Sequence, residues 1–119
     1  PEFRKGPQTV TSYSFVTGQV GPGGLFVGQL EVFDVTDGTD PAKFAFAITA
    51  GNDDGLYRID GKTGAIHTTR EYSGIAANTA RTLTVLLTDS GGLTATATVD
   101  LSYKPLLLVG GDGYAVEGT

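Results

Sequence analysis

Between residues 93 and 103 the chain alternates without a break. Leu93, Ala95, Ala97, Val99, Leu101 and Tyr103 fall on one side, and Thr94, Thr96, Thr98, Asp100 and Ser102 on the other. Successive side chains of an extended strand point to opposite faces, so this pattern suits a sheet with one buried and one wet face. Upstream, Leu83, Val85 and Leu87 alternate with Thr82, Thr84 and Thr88, with Leu86 the one exception. Ser90-Gly91-Gly92 supplies a tight turn between the two segments, which predicts a hairpin. Phe44, Phe46 and Ile48 repeat the pattern against Ala45, Ala47 and Thr49. Shorter strands are predicted over 56–59 and 65–69, joined by Asp60-Gly61-Lys62-Thr63-Gly64, and over 10–16 and 25–33, separated by Gly21-Pro22-Gly23-Gly24. Seven strands with turn signals about every ten residues predict an all-β sandwich. No stretch supports an amphipathic helix, and 76–80 allows no more than one helical turn.

Composition narrows the chemistry. The chain has no cysteine and one histidine, which removes disulfide scaffolds, cysteine nucleophiles and zinc knuckles. Thirteen acidic residues against eight basic ones give a net charge of −5, which argues against a nucleic-acid partner or an anionic membrane surface. No run approaches the ~18 apolar residues of a membrane span, so no direct membrane insertion is expected. Residues 1–8, opening on Pro1-Glu2-Phe3, read as a cloning scar or linker and are set aside from the fold. Residues 9–104 form the sandwich. Lys104-Pro105 ends the last strand, because proline cannot continue a central ladder. Residues 105–119 then read as a linker and the start of a following module, with Tyr114-Ala115-Val116-Glu117 as its first strand, so the chain reads as one unit of a tandem array.

Strand parity gives the carboxylates an address. If neighbouring strands alternate in direction, the second, fourth and sixth end at the pole nearest the N terminus, here called proximal. The others end at the distal pole. Asp34, Asp37 and Asp40 follow the second strand and Asp89 ends the sixth, so all four fall at the proximal pole. Glu71 ends the fifth strand and joins Asp53 and Asp54 at the distal one. Calcium takes six to eight oxygen ligands at about 2.3–2.6 Å, and clustered carboxylates are its usual donors. Acidic residues in strand-end loops also cap turns while remaining solvated. Residue type and spacing admit both readings.

Four motifs in order resemble a known family. Gly51-Asn52, Gly55-Leu56-Tyr57-Arg58-Ile59-Asp60 and Thr63-Gly64-Ala65-Ile66 are similar to the cadherin-repeat stretch "GN…G.F.ID..TG.I". Thr69-Arg70-Glu71 is similar to its "DRE", and the segment from Leu83 through Asp89 to Gly92 to its "L.V.A.D.G". Pro22-Gly23-Gly24-Leu25-Phe26-Val27-Gly28, leading to Asp34, resembles "P.GT.VG…A.D.D". The resemblance covers roughly residues 10 to 103 and points to the divergent cadherin-like repeats of bacterial-type surface adhesins. It implies a Greek-key sandwich of the cadherin/immunoglobulin-like kind, extracellular and working in cell–cell or cell–surface adhesion as a semi-rigid spacer. It also implies calcium bound at the junctions between repeats: Asp34, Asp37 and Asp89 would serve the preceding junction and Glu71 the following one. The implied Ca2+ is weakly held, on the order of 10⁻⁴–10⁻³ M, and shared with adjacent repeats of the same chain. A homophilic contact, or a surface polysaccharide or protein, is the ligand such a repeat implies. The departures are specific. Thr36 stands where the second aspartate of "D.D" is expected, with Asp37 beside it as a substitute. Thr69 replaces the aspartate of "DRE", Gln19 falls at a strand glutamate, and the linker "D.NDN" is missing.

Other constellations yield to simpler accounts. His67 has no partner in the sequence that would make it a general base and reads as a surface histidine. With no nucleophile–base pair to assemble, the chain does not read as an enzyme. Tyr13, Tyr57, Tyr72, Tyr103 and Tyr114 admit an alternative, a carbohydrate-binding sandwich with a stacking platform. The missing ligand positions admit another, a metal-free structural spacer.

Overall fold

The computed structural model describes residues 1–17, 26–69 and 79–103. Among them are ten strands, β1 (Glu2–Lys5), β2 (Gln8–Val10), β3 (Ser12–Thr17), β4 (Phe26–Gln29), β5 (Glu31–Phe33), β6 (Phe44–Ala50), β7 (Tyr57–Ile59), β8 (Ala65–Thr68), β9 (Thr79–Asp89) and β10 (Thr94–Tyr103), and one 3-10 turn, Pro41–Lys43. The central layer is the four-stranded sheet β3-β10-β9-β6. Two three-stranded sheets, β2-β1-β5 and β4-β8-β7, complete the fold. They meet in the chain at Leu30, which separates β4 from β5 and whose N–H reaches the Gly64 carbonyl at 3.2 Å.

The alternating segments behave as their period requires. In β9, Leu83, Val85 and Leu87 are fully buried, and in β10 so are Ala97, Val99 and Leu101. The hairpin register pairs Val99 with Leu83 and Ala97 with Val85, so the apolar faces coincide. Burial of side chains this size stabilises by about 1.5–3 kcal/mol each relative to exposure, which makes this hairpin the platform for everything else. Phe44, Phe46, Tyr13, Leu30, Leu56, Tyr57 and Ile66 join the same core cluster. β3 runs parallel to β10, while β6 and β10 both run antiparallel to β9. The start of β6 therefore lies beside the end of β9 at the proximal pole, with Phe44 opposite Asp89.

The structure departs from the sequence reading in several places. The strand that parity drew over 25–33 breaks at Leu30, and β2 and β3 divide the first, so ten segments replace seven. Thr79 and Ala80, left to a helical turn at most, open β9. Leu93 is 67% exposed because β10 begins only at Thr94, and Leu93 belongs to the turn, beyond the reach of the opposing layer. Residues 1–8, set apart as scar or linker, lie within the fold. β1 pairs with both β2 and β5, and Phe3 is 2% exposed against Tyr13 and Phe46 at ring separations of 6.2 and 6.4 Å. A phenyl ring placed opposite an open core edge is buried whatever the origin of its segment. The proposed linker and next-module strand over 105–119 lie outside the described residues.

Candidate metal centre

At the proximal pole β5 ends in a tight reversal. Asp34 N–H donates to the Gly38 carbonyl (3.0 Å) and Gly38 N–H to that of Asp34 (2.7 Å), with Gly38 at φ +64°. Asp34 Oδ1 accepts the N–H groups of Thr36 (2.8 Å) and Asp37 (3.2 Å), so its side chain organises the loop that carries Asp37. Asp89 does the same for the β9–β10 turn: its Oδ1 accepts the N–H groups of Gly91 and Leu93, both at 2.9 Å. Ser90 joins the two loops, its hydroxyl donating to the Asp37 carboxylate at 2.7 Å. Each carboxylate is thus placed by its own turn, and the turns are held to each other by one serine.

The result is a compact acidic group. Asp34, Asp37 and Asp89 each bring an oxygen within 4.8 Å of the others'. Two ligands of one calcium ion can stand no farther apart than twice the bond length, about 4.6–5.2 Å, so the three are close enough to share a single ion. Asp34 is buried and the other two are half-buried. The Pro1 ammonium lies 3.0 Å from Asp34 Oδ2. That ammonium, with the Thr36 and Asp37 N–H groups, outweighs burial and holds the Asp34 carboxyl at about 2, below its ordinary 3.8. The oxygen-only donor set of the three carboxylates suits a hard cation.

Three of the residues the sequence offered as ligands, Asp34, Asp37 and Asp89, therefore come together, with Asp37 in the group where Thr36 is not. Asp40 does not join them. It caps the 3-10 turn instead, accepting Ala42 N–H at 3.0 Å. Glu71 lies outside the described residues. Ser90 was missed in the sequence, where it reads only as part of a turn.

The distal pole is built differently. Asn52 clamps the loop after β6, donating to the Tyr57 carbonyl (2.7 Å) and accepting Tyr57 N–H (3.0 Å). Arg81 Nη1 and Nη2 reach the two oxygens of Asp54, both at 2.7 Å, and the guanidinium carbon lies 5.4 Å from the centre of the Tyr57 ring. Thr69, where the sequence motif would carry an aspartate, donates its hydroxyl to the Gly55 carbonyl.

Of the remaining candidates, Tyr72 and Tyr114 lie outside the described residues. His67 is half-buried rather than at the surface, edge-on to Phe26 at 5.5 Å. Tyr13 and Tyr57 are 5% and 4% exposed and pack in the core, so neither offers a stacking face. A concavity of about 380 Å³ between β5 and β6, walled by Phe33, Phe44 and Phe46, contains none of the three aspartates. Among the described residues no helix is long and apolar enough to cross a membrane.

No family model and no curated protein matches the sequence. Solved structures do. The third cadherin domain of human protocadherin 7 matches with a TM-score of 0.62 at 21% identity, over 80% of this chain and 82% of that one. Mouse cadherin-23 EC22-24 matches with a TM-score of 0.65 at 15% identity, over 82% of this chain and 30% of that one. The human desmocollin-1 ectodomain matches with a TM-score of 0.63 at 20% identity, over 80% and 19%. This chain spans between 14% and 30% of the multi-domain structures it matches, 21% of protocadherin gamma B2 domains 3–6 among them. At these identities the likeness fixes the fold, which is that of a cadherin-like repeat.

Proposed function

We propose that this cadherin-like repeat works as a calcium-binding, semi-rigid spacer in an extracellular multi-repeat adhesin. The observation that carries the proposal is the trio Asp34, Asp37 and Asp89, whose carboxylate oxygens lie within 4.8 Å of one another, close enough to share one ion. These three would hold Ca2+ at the junction with a preceding repeat. A bound divalent ion would neutralise the three carboxylates and tie their two loops to the neighbouring module, which completes the shell. Glu71 would serve the following junction in the same reading. Homophilic contact or a surface ligand would then fall to the array rather than to a pocket in this unit, and no catalytic role is assigned. The carbohydrate-binding alternative loses support with Tyr13 and Tyr57 in the core.

Thermal melting in calcium and in chelator tests the proposal. Ten millimolar calcium, roughly tenfold above the upper end of a weak extracellular site, should raise the melting temperature by several degrees. D34N and D89N should lose most of that increment. Equal melting temperatures in calcium and chelator would leave the metal-free spacer as the better account.

A further inference from the structure

The two poles differ in the source of their positive charge. Among the described residues no Lys or Arg pairs with Asp34, Asp37 or Asp89, whereas Asp54 at the distal pole holds an arginine in both prongs of its guanidinium. We infer that Arg81 is the resident cation of the 51–56 loop at the distal pole, taking there the place of a divalent ion, so that this loop is set without calcium. The inference deepens the calcium reading above and rests on it for the contrast between ends.

Four observations converge. Arg81 has the inward parity of Leu83, Val85 and Leu87, so β9 itself aims the side chain over the end of the core rather than into solvent. Its fork meets both oxygens of Asp54 at 2.7 Å, the pairing for which a planar guanidinium is preorganised. Nη1 also faces the Gly51 carbonyl at 3.4 Å, and the Tyr57 ring lies beneath the charge, so a carboxylate, a carbonyl and an aromatic face surround one cation. Lastly, Thr69 supplies a hydroxyl donor where a metal-binding version would need a carboxylate, and it spends that donor on the Gly55 carbonyl of the same loop. A guanidinium keeps its charge across the accessible pH range. The loop it holds is therefore indifferent to calcium and to moderate changes of pH.

Amide hydrogen exchange tests this on the whole chain. Gly55, Leu56 and Tyr57 donate to Asn52 O, Asp54 Oδ1 and Asn52 Oδ1, and so report the loop. Thr36, Asp37, Gly91 and Leu93 report the proximal pole. In the wild type, ten millimolar calcium should slow the proximal amides and leave the loop amides unchanged. R81Q should speed the loop amides by roughly three- to tenfold, equally in calcium and in chelator, while those of Leu83 and Val85 stay protected. R81K, which keeps the charge without the fork, should restore part of that protection and serves if R81Q does not fold. Calcium slowing the loop amides of the wild type would overturn the inference, as would R81Q exchange equal to the wild type. If calcium leaves the proximal amides unmoved, the calcium reading falls while the role of Arg81 is decided by the R81Q arm.

Discussion

The proximal and distal poles are products of one rule and differ in one ingredient. At both, a strand runs out of its sheet and a short acidic side chain accepts the next N–H groups: Asp34 and Asp89 at one end, Asp54 at the other, where it accepts Leu56 N–H at 3.1 Å. At the distal pole an arginine from β9 answers the charge. At the proximal pole three carboxylates share a space, and among the described residues no Lys or Arg pairs with them. A sandwich whose strand-end turns are acidic at both ends can thus be charge-closed at one and ion-dependent at the other. The choice depends on the residue two places before Leu83 in β9, here Arg81.

The comparison can be broken first at its scaffolding. Phe3→Ala should remove about 3–5 kcal/mol of stability, measured by urea unfolding. The loss should be accompanied by weaker calcium response, because β1 buttresses the β5 end that carries Asp34. A loss below about 0.5 kcal/mol would return residues 1–8 to the status of a linker. At the other pole, Gly51 sits at φ +87° and a Cβ there would stand 2.0 Å from the Thr82 carbonyl oxygen. Gly51→Ala should therefore cost about 2–4 kcal/mol, with the damage concentrated in exchange of the 52–57 amides and the proximal pole still able to respond to calcium.

Acid sharpens the contrast. Asp34 has a folded value of about 2 against an ordinary 3.8. A depressed carboxyl contributes stability that is fully present above 3.8 and is lost as pH falls through about 2. The wild type should accordingly lose stability between about pH 4 and pH 2, and D34N should flatten that limb while weakening calcium binding by roughly tenfold or more.

The strands and the proximal cluster were legible in the sequence because both follow from counting. Period two identified the faces of β6, β9 and β10, and the parity of strand direction brought Asp34 and Asp89 to one pole from positions far apart in the chain. What counting could not supply was contact. Arg81 continues the apolar face of Leu83 and Val85, so its pattern position says core, and its partner lies in a loop beyond another strand with no local mark of the pairing. Phe3 was unreadable for a different reason: a three-residue prefix carries no periodicity, and its burial depends on an open edge at β5. Leu93 shows the limit of periodicity itself, since alternation persists one residue past the point where an opposing sheet exists to bury it. Asp40 resembled its neighbours in composition and was drawn off by the N–H groups of the 3-10 turn.

The most direct test is a calcium titration followed through backbone amide chemical shifts of the wild-type chain. The account predicts saturating shifts at residues 34–38 and 89–93, with a midpoint on the order of 10⁻⁴–10⁻³ M, and none at 51–56. Amides of 34–38 and 89–93 that stay in place at ~10 mM calcium, well beyond the range of a weak extracellular site, would contradict it.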